Sequence, residues 1–188
     1  MRHALVMVNG LCLLSATALY AGQATRLLKP AAPASVGGRV TVVETIGKKT
    51  MTNPVTHLTV YLLTLEASKP FQDLQIKCRR AMARPDADPV QTFKLCDRCL
   101  SEAFDLVPHL EAVATAETDR DGSFRFENLA PNRRYHVVGI KPPEGGSPIV
   151  VEAKIGQLRA GQRVALELSE NDPWTGPLEL KWVFGLRC

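Results

Sequence analysis

The stretch ATAETDRDGSFRFENLAPNRRYHVVGIKPPEG, Ala114 to Gly145, constrains the fold of this chain more than any other segment. It reads as two β-strands joined at a tight Asp121-Gly122 turn, a Leu-x-Pro bend from Leu129 to Pro131, and a third strand opening at Tyr135. Asp-Gly favours a two-residue hairpin turn, because both central residues must tolerate positive φ. Beyond the turn, Phe124 and Phe126 alternate with Ser123, Arg125 and Glu127, the period of a strand with one buried face. Phe124, Phe126, Leu129, Tyr135, Val137 and, further upstream, Val60 are the expected core.

Strand-like segments recur on either side of this stretch. Arg39 to Ile46 carries Val40 and Val42 on one side, and His57 to Leu65 sets Leu58, Val60 and Leu62 against Thr59 and Tyr61. Glu111 to Thr118, Ser123 to Glu127, Tyr135 to Ile140, Pro148 to Lys154 and Arg163 to Leu168 follow. Leu178 to Phe184, with Leu178, Leu180, Trp182 and Phe184 on one face, closes the set. Short strands separated by Gly and Pro turns predict an all-β sandwich.

With its Asp-Gly turn, Phe-x-Phe strand, Leu-x-Pro bend and following Tyr, the chain resembles the carboxypeptidase regulatory-like domains and the related collagen-adhesin B repeats. The resemblance implies a transthyretin-like (prealbumin-like) β-sandwich of seven or eight strands, over roughly Gly37 to Ser169. It is most specific from Thr118 to Tyr135. The adhesin repeats also raise an internal Lys–Asn isopeptide bond promoted by a buried acid. The matching position in YHVVGIKPPEG is Gly139, and the first strand, GRVTVVET, lacks the expected Lys. Without an acid to shuttle protons a buried amine has no route to the amide, so no cross-link is expected.

The chain opens MRHALVMVNGLCLLSATALYAGQATR, with a basic Arg2, a mostly apolar run from Ala4 to Leu14, and small residues after it. That layout predicts a signal peptide over residues 1–24, cut after Ala24 with Ala21 as the alternative. Asn9 and Gly10 interrupt the apolar run, which falls short of the ~20 residues of a bilayer span. No stable membrane span is expected after cleavage. Cys12 lacks a lipoprotein-type approach. The remaining 164 residues have a net charge of +3, spread along the chain. A nucleic-acid partner wants a clustered positive face instead. Residues 25–38 are Ala/Pro/Gly-rich and predict a linker, followed by one domain over 39–188.

One segment breaks the strand rhythm. Residues 67–108 hold three of the four cysteines left after cleavage, together with Pro85 and Pro89. In LCDRCLSEAFDLV, Leu95, Cys99, Leu100 and Phe104 stand near helical spacing, so a short helix is expected within an insertion of roughly 40 residues. Loops of that length are usually functional or cross-linked. The disulfide candidates are Cys78, Cys96, Cys99 and Cys188. In an exported chain an even cysteine count reads first as disulfides. The favoured pairing joins Cys78 to one cysteine of the Cys-x-x-Cys pair and Cys188 to the other. A thiol-redox pair of Cys96 and Cys99, or a zinc site using Cys78, Cys96, Cys99 and His109 or Cys188, is the alternative. Covalent haem is excluded, because Leu100 stands where His is required.

No catalytic residue, cofactor or metal is expected. His57, His109 and His136 fall on different strands or their edges and read as sheet-surface or edge residues. Asp119-Arg120-Asp121-Gly122 reads as a turn, since the strand of Phe124 and Phe126 occupies the place of further calcium ligands. Trp182 alternates with core residues. Trp174, after Asp172-Pro173, is the candidate surface contact. The expectation is an exported (periplasmic or extracellular) non-enzymatic binding or structural module acting through protein–protein contacts, with a carbohydrate-binding module as the rival.

Overall fold

The computed structural model of the protein describes residues 31–46, 48–82, 88–142 and 148–169. The expected signal peptide, Trp174, Cys188 and the segment Leu178 to Phe184 lie outside the described residues. Eight strands form two four-stranded sheets, with two helices inserted between the third and fourth strands. The strands are β1 (Ala34–Ile46), β2 (Lys49–Pro54), β3 (Thr59–Thr64), β4 (Ala112–Glu117), β5 (Ser123–Leu129), β6 (Tyr135–Lys141), β7 (Ile149–Ile155) and β8 (Arg163–Ser169). The helices are α1 (Lys69–Met82) and α2 (Pro89–Leu106), the latter ending in a 3-10 turn at Val107–His109.

The long strand β1 organises the first sheet. Its opening half pairs antiparallel with β5 and its closing half with β2, while β8 runs parallel along residues 35–41. Residues Ala34 to Gly38 are therefore paired strand, and the linker expected over 25–38 does not reach that far. Val40 sits where β1 passes from β5 to β2. Its N–H donates to the Gly122 carbonyl at 2.8 Å, and its own carbonyl accepts from the Val55 N–H at 3.0 Å. The second sheet is antiparallel throughout, in the order β4-β3-β6-β7.

The Asp121-Gly122 turn does not make a hairpin. β4 pairs with β3 and β5 pairs with β1, so the turn carries the chain from one sheet to the other. Locally the expectation of a tight turn holds. Asp119 Oδ1 accepts the N–H groups of Asp121 (2.9 Å) and Ser123 (2.8 Å), which uses this carboxylate as a turn brace. Gly122 has φ +74°, and a Cβ there would lie 2.4 Å from the Val40 carbonyl oxygen. Only glycine satisfies both demands.

The sandwich core lies between the sheets. Val36, Val40, Phe124, Phe126 and Leu168 of the first sheet meet Val60, Leu62, Tyr135, Val137, Val151 and Ile155 of the second. All six expected core residues are buried. Alternation places them there: their neighbours Arg125, Glu127, Arg163 and Glu167 face water. Beyond Glu127, β5 continues through Asn128 in the left-handed conformation (φ 58°) to Leu129, with a register shift against β1. The Leu-x-Pro bend follows, closed by the Tyr135 hydroxyl donating to the Ala130 carbonyl at 3.2 Å.

A second core lies on the far side of the second sheet. Leu63, Val138, Ile140 and Val150 on its outer surface are covered by Phe71, Leu74 and Cys78 of α1 and by Cys96, Cys99, Leu100 and Ala103 of α2. The insertion thus holds two helices where the Cys-x-x-Cys segment suggested one. In α1, Phe71, Leu74 and Cys78 recur at i, i+3 and i+7, the stripe of a helix lying on a surface. α2 begins at Asp88, whose side chain accepts the Val90 N–H, with Pro89 at the first helical position.

Candidate functional site

The insertion expected to carry what is particular to this protein is the helical cover, α1 and α2. A disulfide joins Cys78 of α1 to Cys99 of α2, with a Cα–Cα distance of 6.1 Å. Both sulfurs sit in the second core, so the bond staples the helices beneath their contact line. Cys96 is also disulfide-bonded, and its partner is neither Cys78 nor Cys99. The two cysteines of the Cys-x-x-Cys segment therefore do not form one redox pair. Sulfurs held in disulfides offer no thiolate to zinc, so the zinc alternative lacks its ligands in this state.

Beneath the cover lies a polar cluster. His136, on β6, was expected at the sheet surface; it points outward from the sheet but is fully buried (0% exposed) because α1 lies over it. Its Nε2 meets Glu152 of β7 at 2.8 Å, and the Phe71 ring of α1 stands 6.0 Å from the imidazole. In the β6–β7 register His136 is opposite Lys154 and Val138 is opposite Glu152, which makes the ion pair a diagonal cross-strand pair. Buried Gln75 of α1 also bonds Glu152. Burial pushes the Glu152 carboxyl up. Hydrogen bonds from His136 and Gln75, with the charges of His136 and Lys154, outweigh it and hold the group below its ordinary value. A buried carboxylate needs such partners. Gln75 and Glu152 escaped the sequence reading. A glutamine on the apolar stripe of α1 and a lone acid in IVVEAKI were the only signals.

The other histidines lie elsewhere. His57 pairs through Nδ1 with Glu117, both exposed, at the start of β3. His109, exposed after α2, bonds the Asp105 carbonyl. The three imidazoles occupy separate regions with separate structural partners. Gly139, the position matched to the adhesin acid, has no room for a side chain: a Cβ would meet Leu58 and Val151 at 2.6 and 2.7 Å.

The outer surface of the cover is mixed. Lys69 pairs with Asp73 within α1, and Lys77 of α1 with Glu102 of α2 at 2.9 Å, a bridge parallel to the disulfide. Ile76, Val90 and Phe93 are exposed; Phe93 keeps 51% of its surface open. No described helix is long and apolar enough to cross a membrane.

No protein-family model matches the chain, and no curated protein matches it. Among solved structures it is similar to the Bacillus anthracis TIE protein, at 8% identity and a TM-score of 0.33, over 73% of this chain and 17% of that one. It is similar to GBS52, the minor pilin of Streptococcus agalactiae, at 13% identity and 0.31, over 73% and 45%. It is similar to the pilus backbone RrgB of Streptococcus pneumoniae, at 12% and 0.28, over 70% and 40%. The chain spans less than half the length of each. Likenesses this distant carry no argument about fold or function, and the two-sheet sandwich with a helical insertion rests on the chain's own strand pairing.

Proposed function

We propose that this chain is an exported, non-enzymatic binding or structural module of transthyretin-like architecture, acting through protein contacts in a cell envelope or an extracellular assembly. The observation that carries the reading is the helical cover. Lys69 pairs with Asp73 and Lys77 with Glu102 on its surface, its two helices are stapled by a disulfide, and Ile76, Val90 and Phe93 are left in water. A disulfide suits an oxidising compartment. Exposed aromatic and aliphatic side chains on a rigid support suit a protein contact. We propose further that Cys96 pairs with Cys188, which would tie the end of the chain to α2.

Affinity capture of the full-length protein from its native envelope, with wild type and Phe93→Asp side by side, tests the reading. A single stable protein partner retained by wild type and lost by Phe93→Asp is the expected result. Binding to immobilised glycans with no protein partner would replace it with the carbohydrate-binding reading.

A further inference from the structure

Three connections converge at one end of the sandwich: the turn between β3 and α1, the bend between β5 and β6, and the loop between β7 and β8. Together they border an open cleft of about 480 Å³ whose lining includes Thr64, Glu66, Asn132, Arg133, Arg134 and Gln157. Local bonding fixes its walls. Asn132 is in the left-handed conformation (φ 61°) and donates its N–H to the Leu158 carbonyl at 2.7 Å, while the Leu158 N–H returns to the Arg133 carbonyl at 3.0 Å. Gln157 Nε2 reaches the Asn132 carbonyl at 3.4 Å. The two arginines are thus carried on a braced corner.

The charges in the cleft are unequally matched. Glu66 bonds its own backbone N–H and the Thr64 hydroxyl, which hold its carboxyl below the ordinary value, with a contribution from the nearby Arg133 charge. Neither guanidinium has a hydrogen bond or salt bridge among the described residues, a state they share with most of the described arginines; only Arg39 and Arg125 have such side-chain partners there. Glu66 offsets Arg133 electrostatically, and Arg134 lines the same cleft as the Asn132 side chain without an ion pair among the described residues. Exposed arginine offers a planar fork of donors that matches a carboxylate in bidentate fashion, and amides match peptide groups. The volume falls in the range of ligand clefts.

We propose that this cleft is a recognition site for an acidic peptide segment, with Arg134 as the principal anchor for a side-chain carboxylate and Asn132 and Gln157 as contacts to its backbone. The inference rests on the protein-contact reading and adds the chemistry of a partner segment to it. It also separates two surfaces, because the cleft stands on the connections and the apolar residues stand on the helical cover.

The test titrates full-length protein with a capped glutamate-rich hexapeptide, its glutamine counterpart, and a glutamine peptide with a free C-terminal carboxylate. Amide chemical shifts and calorimetry provide the readouts. Saturable binding of the glutamate peptide, with shifts confined to residues 64–66, 132–134 and 157, is expected. Arg134→Gln should weaken it about tenfold or more, the loss expected for one charge-assisted contact. Arg133→Gln should weaken it less, and added salt should weaken it in both proteins. Equal binding of the glutamine peptide would overturn the proposal, as would shifts located elsewhere or an undiminished Arg134→Gln affinity. Preference for the free C-terminal carboxylate would overturn the side-chain assignment. Neither arginine packs in a core, so the variants retain the fold; amide shifts of β1 and β6 verify this. If the Arg134→Gln variant still captures the native partner while Phe93→Asp does not, the protein-contact reading stands and the cleft assignment falls.

Discussion

The two sheets of the sandwich present outer faces of opposite character. Along β8, Arg163, Ala165 and Glu167 face solvent while Val164, Leu166 and Leu168 turn inward. Along β6, all six residues from Tyr135 to Ile140 are buried. The first sheet has one wet face, and its strands β5 and β8 keep the period of two. The second carries helices on its outer side, and its inner strand β6 becomes buried on both faces. Covering a face has a cost that the bare face avoids. His136 and Glu152 were drawn out of water and had to be paired with each other and with Gln75, while Arg125 and Glu127 on the open side remain hydrated. Loss of alternation within an otherwise half-exposed sheet is therefore a record of a second layer.

The same truncation in the two cores tests whether they are one cooperative unit. Phe124→Ala and Phe71→Ala each remove a fully packed ring, and such changes cost about 3–5 kcal/mol. Phe124→Ala should lower the global melting temperature and speed hydrogen exchange in both sheets. Phe71→Ala should release α1 and α2 while β1 and β5 stay protected. Equal loss of protection throughout both sheets and helices in the two variants would erase the distinction between the cores.

Removing the staple acts on the cover alone. The double variant Cys78→Ser/Cys99→Ser opens a link spanning 21 residues. On the chain-entropy model that lowers stability by about 3 kcal/mol. Denaturant midpoints measured against wild type give the magnitude, and exchange rates in α1 and α2 show where the loss falls. A variant as stable as wild type would mean that helix–sheet packing suffices without the covalent tie.

Acid should distinguish the two faces next. Glu152 has a folded-state value below its ordinary 4.5. Its contribution is complete above the ordinary value and is lost as pH falls through the folded one. Stability should therefore decline on acidification below about 4.5, and Glu152→Gln should remove part of that decline while costing about 1–3 kcal/mol at neutral pH. Identical acid profiles for the two proteins would detach the buried pair from the stability of the cover. The smallest effect belongs to the open face. Arg125→Ala breaks only the exposed pair with Glu127 and should change stability by less than about 0.5 kcal/mol, as a thermal melt would report.

The sandwich strands were legible where one side was wet. Val60 and Leu62 in β3, Phe124 and Phe126 in β5, and Val164, Leu166 and Leu168 in β8 each stood out against polar neighbours. β2 left no such signal, because Lys49 to Thr52 are all exposed and the strand is held by its ladder to β1 rather than by burial. Residues Ala34 to Gly38 read as linker for a related reason. Their small side chains carry little pattern, yet Gly38 is required there: a Cβ would meet the Phe124 ring at 2.7 Å and the Leu166 carbonyl at the same distance. The cover was visible as an interruption with cysteines, but α1 was not recognised, because its buried stripe mixes Phe71 and Leu74 with Gln75 and Cys78.

By itself the sequence determined the local geometry of this protein: the strands with a period of two, the turn braced by Asp119 at Gly122, and the place of the cysteine-bearing insertion. These follow from the preferences of single residues and near neighbours, which act over a few positions of the chain. Only the tertiary structure decided that the Gly122 turn crosses between sheets, that His136 lies buried against Glu152, and that Cys78 bonds Cys99 rather than Cys96. Each joins residues brought together by packing across layers, and the free energy of such contacts depends on which surfaces finally meet, a quantity no local pattern carries.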